Sequence, residues 1–246
     1  MQGTKGKHED GLGTRRLAGL VSIIQGLLIF VPTIVLGQAI NWPDSLDDPA
    51  SIALPRILQE ESAVRFGYIA YLVYSILFVI AVFLIARLNK GPSMQDLFTI
   101  ILAFAIASTL ARTIGIVRWL VPMPELAESW ESATSEQERN SISVVFKALN
   151  DYGGTIGEIL GVSIFAAISV LILNYAFLKD RMMPTWLIVF GFLAAISLLT
   201  TTVELAGIDP GILIVAGTTM IQLWFLTVGI WLLVKSGKSN RNQIVN

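Results

Sequence analysis

The stretch Leu17–Ile40 runs for 24 residues without a charged side chain. A helix rises about 1.5 Å per residue and the hydrocarbon core of a bilayer is about 30 Å thick, so this stretch is long enough to cross it. Four more long uncharged apolar runs follow: Phe66–Ala86, Ile159–Phe177, Met182–Val203 and Gly211–Val234. A sixth, Leu97–Ala111, is uncharged over 15 residues before Arg112 and Arg118 interrupt an apolar stretch that continues to Val121. Only 14% of residues are charged, against roughly 25% in soluble domains. These features argue against a water-soluble fold.

The loops between the runs decide whether the sixth one spans. With six spans, one set of loops and tails holds Lys5, Lys7, Arg15, Arg16, Arg87, Lys90, Lys179, Arg181, Lys235, Lys238 and Arg241, eleven of the 17 basic residues. The opposite set carries Asp44, Asp47, Asp48, Glu60 and Glu61, then Glu125, Glu128, Glu131, Glu136 and Glu138. The positive-inside rule places the basic set, and with it both termini, in the cytoplasm. Omitting the third span would put the Lys179/Arg181 loop and the basic C-terminus outside. The expectation is an all-α polytopic membrane helix bundle, with six transmembrane helices and both termini cytoplasmic. It forms a single membrane domain over 1–246, with spans near 17–40, 66–86, 97–121, 154–177, 183–204 and 211–234. Residues 1–16 and 235–246 are its cytoplasmic tails.

The first run is longer than the 7–15 apolar residues of a cleaved signal, so it reads as a retained anchor, kinked at Pro32. A short interfacial helix is expected through Ile52–Leu58. Met123–Asn140 reads as a helical cap or a mobile loop. The absence of Cys and the single His8 exclude disulfides, thiolate metal sites and bis-His haem ligation within the spans. Net charge −1 argues against a nucleic-acid partner. No metal site and no cofactor is expected.

Ionisable residues inside a membrane are functional candidates by default. Arg112, Arg118, Glu158 and Glu204 qualify, with Asp151 and Tyr152 beside them. Counted from the cytoplasmic ends, Arg112 lies about 22 Å in, Glu158 about 28 Å and Glu204 about 33 Å, which sets all three near the outer hydrocarbon edge. Arg112, Gly115 and Trp119 share a helix face, from which Arg118 diverges by about 120°. Asp151, Thr155 and Glu158 share another. An ion pair between Arg112 and Glu158 is expected. Two readings stay open: structural ion pairs that reach the headgroups, or a polar pocket open to the extracytoplasmic side.

Gly153, Gly157 and Gly161 recur every four residues and form a small-residue ridge for close helix packing. Tyr68, Tyr71 and Tyr74 read as a packing stripe, and Gln25 and Gln222 as inter-helix hydrogen-bonding amides. No HExxH, GxSxG or P-loop pattern occurs, and no Lys falls inside a span, so no catalytic residue is assigned.

The runs GIVRWLVPMPELAESW, VVFKALNDYGGTIGEILG and IQLWFLTVGIWLL resemble a bacterial membrane family, the domain of unknown function family 4386. The likeness covers roughly Leu97–Leu233. It is carried by Arg118, Trp119, Pro122, Asn150, Tyr152, Gly153, Gly157, Glu158, Gly161, Trp224 and Trp231. It implies a multi-helix inner-membrane protein and supplies no activity. The functional expectation is a non-enzymatic ligand- or lipid-responsive module or accessory subunit of the bacterial cytoplasmic membrane. Its partners would be membrane lipids and a small molecule or protein. A small transporter with a polar site near the extracytoplasmic side is the alternative, and an intramembrane enzyme the third.

Overall fold

The computed structural model describes the backbone of residues 3–244 and the side chains of 12–237. His8, Lys5, Lys7, Lys238 and Arg241 therefore lie outside the described side chains. The described residues are helical with no strand. Six helical segments are long and apolar enough to cross a membrane: Leu12–Ile40, Glu61–Leu88, Pro92–Ser132, Glu136–Lys179, Thr185–Ala206 and Ile212–Gly237. The interrupted third run is one of them, since α5 (Pro92–Leu120) carries Arg112 and Arg118 without a break. The first four segments extend beyond their uncharged runs, and the last two start just inside theirs and end past them.

Breaks fall where the backbone lacks donors. The first segment divides into α1 (Gly3–Leu28) and α2 (Phe30–Ile40), because Pro32 has no N–H for the carbonyl four residues earlier. Asn41 ends α2 in the left-handed conformation at φ 59°, which Asn tolerates better than most residues. The expected interfacial helix is α3 (Ala50–Gln59), followed by α4 (Glu61–Leu88). Pro122 opens α6 (Pro122–Ser132) at the first helical position, where a missing N–H costs nothing. A capping box between Ser135 and Glu138 starts α7 (Glu136–Gly154). Met123–Asn140 is thus helical on both sides of a short turn. Beyond α7 the helix widens to i→i+5 bonding over Thr155–Ala166, a winding found mostly as single turns and often at functional sites. It narrows again in α8 (Ala167–Lys179), with α9 (Thr185–Thr200) and α10 (Ile212–Ile244) beyond it.

The chain divides into two compact units. The first comprises Met1–Leu27, Leu77–Ser108 and Val162–Asn246. Its core is apolar, built around Trp224, Phe225, Phe78, Phe177 and Leu187. Trp224 is fully buried and donates its indole N–H to the Leu187 carbonyl at 3.3 Å. Glycines allow close approach of α1 and α10: a Cβ on Gly19 would lie 2.9 Å from Leu233 and one on Gly229 2.7 Å from the Gly19 carbonyl. Gln25 is fully buried, and neither amide atom has a hydrogen-bond partner among the described residues. Gln25 thus makes no inter-helix bond, although α10 meets α1 through Leu226, Gly229, Leu233 and the Gln222 backbone.

Asp180 closes the first unit's loops. Its carboxylate accepts hydrogen bonds from the Met94 N–H at 2.9 Å, the Ser93 N–H at 3.2 Å and the Asn89 amide at 2.9 Å. It thereby caps the N-terminus of α5 from a different loop. Partial burial disfavours the charge, but these donors outweigh it and hold the carboxyl below the usual aspartate range.

The second unit comprises Leu28–Ile76 and Thr109–Gly161. Its core gathers Leu36, Leu54, Ile57, Tyr68, Trp119, Met123 and Phe146. Asn150 donates to the Leu46 carbonyl at 2.7 Å, which ties α7 to the loop after α2. Arg56 pairs with Asp48 at 3.0 Å.

Exposed apolar side chains form stripes along single helices: Leu17, Leu20, Ile24 and Leu27 on α1, and Ile106, Leu110 and Ile114 on α5. Each is about half exposed, a pattern that hydrocarbon covers without penalty and water does not. The protein is a multi-pass integral membrane protein.

Candidate functional site

The second unit holds a recess lined by Trp42, Leu46, Tyr68, Tyr71, Arg112, Gly115, Ile116, Arg118, Trp119, Gly157 and Glu158, with about 320 Å³ of empty space including its open mouth. Two arginines on α5 define it. Arg112 is 4% exposed and Arg118 7%. Burying a guanidinium is costly unless other groups answer its charge.

Glycines make room for both. The ridge of Gly153, Gly157 and Gly161 faces α5, and each glycine occupies space a side chain would take. A Cβ on Gly153 would lie 2.6 Å from Cδ of Arg118, and one on Gly161 2.7 Å from Cγ of Arg112. Between them Gly115 meets Gly157 backbone to backbone: a Cβ on Gly115 would fall 2.8 Å from both Gly157 Cα and the Gly153 carbonyl oxygen.

The arginines are held differently. Arg118 donates to the Gly115 carbonyl at 3.1 Å and to Asn150 Oδ1 at 3.4 Å, and its Nη2 lies 3.9 Å from Glu158 Oε1. Arg112 lies over the Tyr74 ring at 4.7 Å, a cation–π contact. Arg118, which the helical wheel directs elsewhere, also reaches Glu158. Its long stem crosses that angle through the space left by Gly153 and Gly154. Glu158 is half exposed.

Tyr68 stacks flat on Trp119, with centroids 5.1 Å apart and planes 4° from parallel. Trp42 meets Tyr71 edge-on at 5.9 Å. The tyrosine stripe of α4, expected as packing, therefore also supplies the recess with Tyr68 and Tyr71 and puts Tyr74 under Arg112. Sequence reasoning did not place Trp42, Leu46, Tyr68 or Tyr71 in the site. The available signal was three tyrosines at helical spacing in a chain whose spans hold few charges.

The other candidates lie elsewhere. Asp151 is exposed and bonded to Lys147 at 2.8 Å, and Tyr152 is 70% exposed. Glu204 belongs to the first unit, in the short 3-10 turn Thr201–Ala206, where it is exposed. The structure thus brings Arg112, Arg118 and Glu158 together and leaves Asp151, Tyr152 and Glu204 outside the recess. Among the described residues no cluster of acids and histidines is placed to hold a metal ion.

These features define an all-α polytopic membrane protein with a two-arginine recess beside a glycine ridge. The chain belongs to the family described as domain of unknown function (DUF4386), whose model matches residues 17–236. No curated protein and no solved structure matches it.

Proposed function

We propose that the protein is a non-enzymatic, ligand- or lipid-responsive membrane module or accessory subunit, and that the arginine recess is where it responds. The observation that carries this reading is the convergence of two buried guanidinium groups and one half-exposed carboxylate on an open, aromatic-walled recess. A set of charges serving packing alone would be expected to close on itself. The lining contains no Ser, Thr, Cys, His or Lys, which favours binding over nucleophilic catalysis. A small transporter is the second reading, favoured by the wide i→i+5 winding that carries Glu158 inside a spanning segment.

In this proposal the protein sits in the bacterial cytoplasmic membrane with both termini cytoplasmic and the recess toward the extracytoplasmic side. The chain lacks Cys, so single cysteines report topology directly. Asp47→Cys and Ser135→Cys, both at exposed positions, should react with an impermeant thiol reagent added from outside. A phosphatase fused after Asn246 should be inactive. Ligand response is tested by native mass spectrometry and thermal unfolding of the purified protein across a lipid and small-acid panel. Uniform unfolding temperatures with no retained ligand would sink the reading.

A further inference from the structure

We propose that the recess recognises a singly charged oxyanion group, the carboxylate or phosphodiester end of its ligand. This inference rests on the ligand-responsive reading above and deepens it. Three observations lead to it.

The first is charge. Arg112 and Arg118 against Glu158 leave the lining with a formal charge of +1, which one negative charge completes.

The second is an excess of donors. The Tyr68 hydroxyl and Arg118 Nε are both buried, and neither has a hydrogen-bond partner among the described residues. Tyr68 is 1% exposed. A buried donor without a partner is a costly arrangement that a ligand acceptor relieves. The two donors come from different helices, α4 and α5, and both residues line the recess. An oxyanion offers several lone pairs from one small group, which suits a recess whose donors outnumber its acceptors.

The third is rigidity and size. Stacking on Trp119 fixes the Tyr68 ring, while the Gly115 carbonyl and Asn150 hold the Arg118 guanidinium. Donors fixed before binding lose little freedom when the ligand arrives. The enclosed space is only about 20 Å³, little more than the roughly 10–15 Å³ that a single water needs. It suits the oxyanion group alone, with Trp42 and Tyr71 as apolar walls. A nucleotide or sugar would not fit.

Glu158 then sets the charge preference. It occupies one side of Arg118 and tunes the recess toward a monoanion. Its removal should raise the affinity for any oxyanion and admit a dianion.

The test uses the full chain in non-ionic detergent, read by thermal unfolding and native mass spectrometry. Oleate, methyl oleate, phosphatidylglycerol, phosphatidylcholine, acetate and inorganic phosphate are added in turn. Oleate or phosphatidylglycerol should stabilise the protein, and methyl oleate, with the same tail and no charge, should not. Stabilisation by amphiphiles alone identifies a bilayer source, and stabilisation by acetate as well identifies a water-borne acid. Tyr68→Phe should weaken binding about tenfold, the loss of one hydrogen bond to a charged group. Glu158→Gln should strengthen it about tenfold, a modest Coulomb term at this range, and should let inorganic phosphate bind. Methyl oleate matching oleate, or weaker oleate binding in Glu158→Gln, would overturn the oxyanion assignment while leaving a ligand-responsive protein. No response to any probe would overturn both. Should Tyr68→Phe fail to accumulate, Glu158→Gln decides alone, because its half-exposed side chain is not needed for packing.

Discussion

Two charged centres in this protein, one in each compact unit, are built on the same device and finished differently. In the first unit Gly91 leaves space that a Cβ would take from the Asp180 carboxyl, and Asp180 fills it. In the second, Gly153 and Gly161 leave space for the stems of Arg118 and Arg112. Asp180 is then answered by three donors, two backbone N–H groups and an amide. The arginine recess is open, and the Tyr68 hydroxyl and Arg118 Nε wait without acceptors among the described residues. A charge saturated by its own chain is a clamp. A charge held in place with donors to spare is a candidate site.

That contrast can be broken at four points. The largest effect is expected at Gly115→Leu, which would drive a side chain into the Gly153 and Gly157 backbone. Overpacking against backbone should cost about 3 kcal/mol or more and lower the yield of folded protein in the membrane. Leucine at Gly13, where nothing lies within 4 Å, should be tolerated. Equal tolerance at both would remove the close helix contact on which the recess depends.

Arg118→Met comes next. It removes the bonds to the Gly115 carbonyl and Asn150 and the contact with Glu158. The expected loss is about 2–3 kcal/mol in detergent unfolding without ligand, since the half-exposed glutamate can rehydrate. A stabilised Arg118→Met protein would show that the buried charge costs stability rather than supplying it. A cost above about 5 kcal/mol would not fit the comparison, and would make Arg118 a clamp like Asp180.

Asp180→Asn should cost about 1–2 kcal/mol, as for a helix cap, and change the acid limb of stability. The folded carboxyl titrates below its unfolded value of about 3.9. Its contribution is therefore fully present above that value and is lost as pH falls through the folded pKa. Unfolding measured from pH 6 to pH 3 should fall less steeply in Asp180→Asn than in the parent. Parallel curves would show that Asp180 does not carry the linkage.

The smallest effect is Tyr68→Phe. Removing an unpartnered hydroxyl should change unliganded stability by less than about 0.5 kcal/mol, and a gain is as consistent as a loss. A cost above about 1.5 kcal/mol would mean that the hydroxyl has a partner in the protein and that the recess is closed after all.

Much of this was legible before any coordinates. Six uncharged runs are set by the length of hydrocarbon that must be crossed and by the cost of burying charge in it, both of which are local properties of a linear string. The glycine spacing at 153, 157 and 161 likewise marks a ridge without naming what it meets. The short helix expected through Ile52–Leu58 is found at Ala50–Gln59, whereas Met123–Asn140, expected as a helical cap or mobile loop, holds α6 and the capped start of α7. The approach of Arg118 to Glu158 does not follow from short-range patterns. A helical wheel assigns directions to Cα–Cβ bonds, whereas a guanidinium lies five bonds further out and goes where the opposing helix leaves room. The role of the tyrosine stripe was hidden for the same reason, since stacking of Tyr68 on Trp119 joins α4 to α5. Asp180 was passed over as one acid in a basic loop, because its donors lie 86 to 91 residues away in the chain. The sequence by itself determined the membrane fold and which charges were costly. Only the tertiary structure decided which of those charges meet and which donors are left over, because both depend on side chains from distant helices competing for the same small volume.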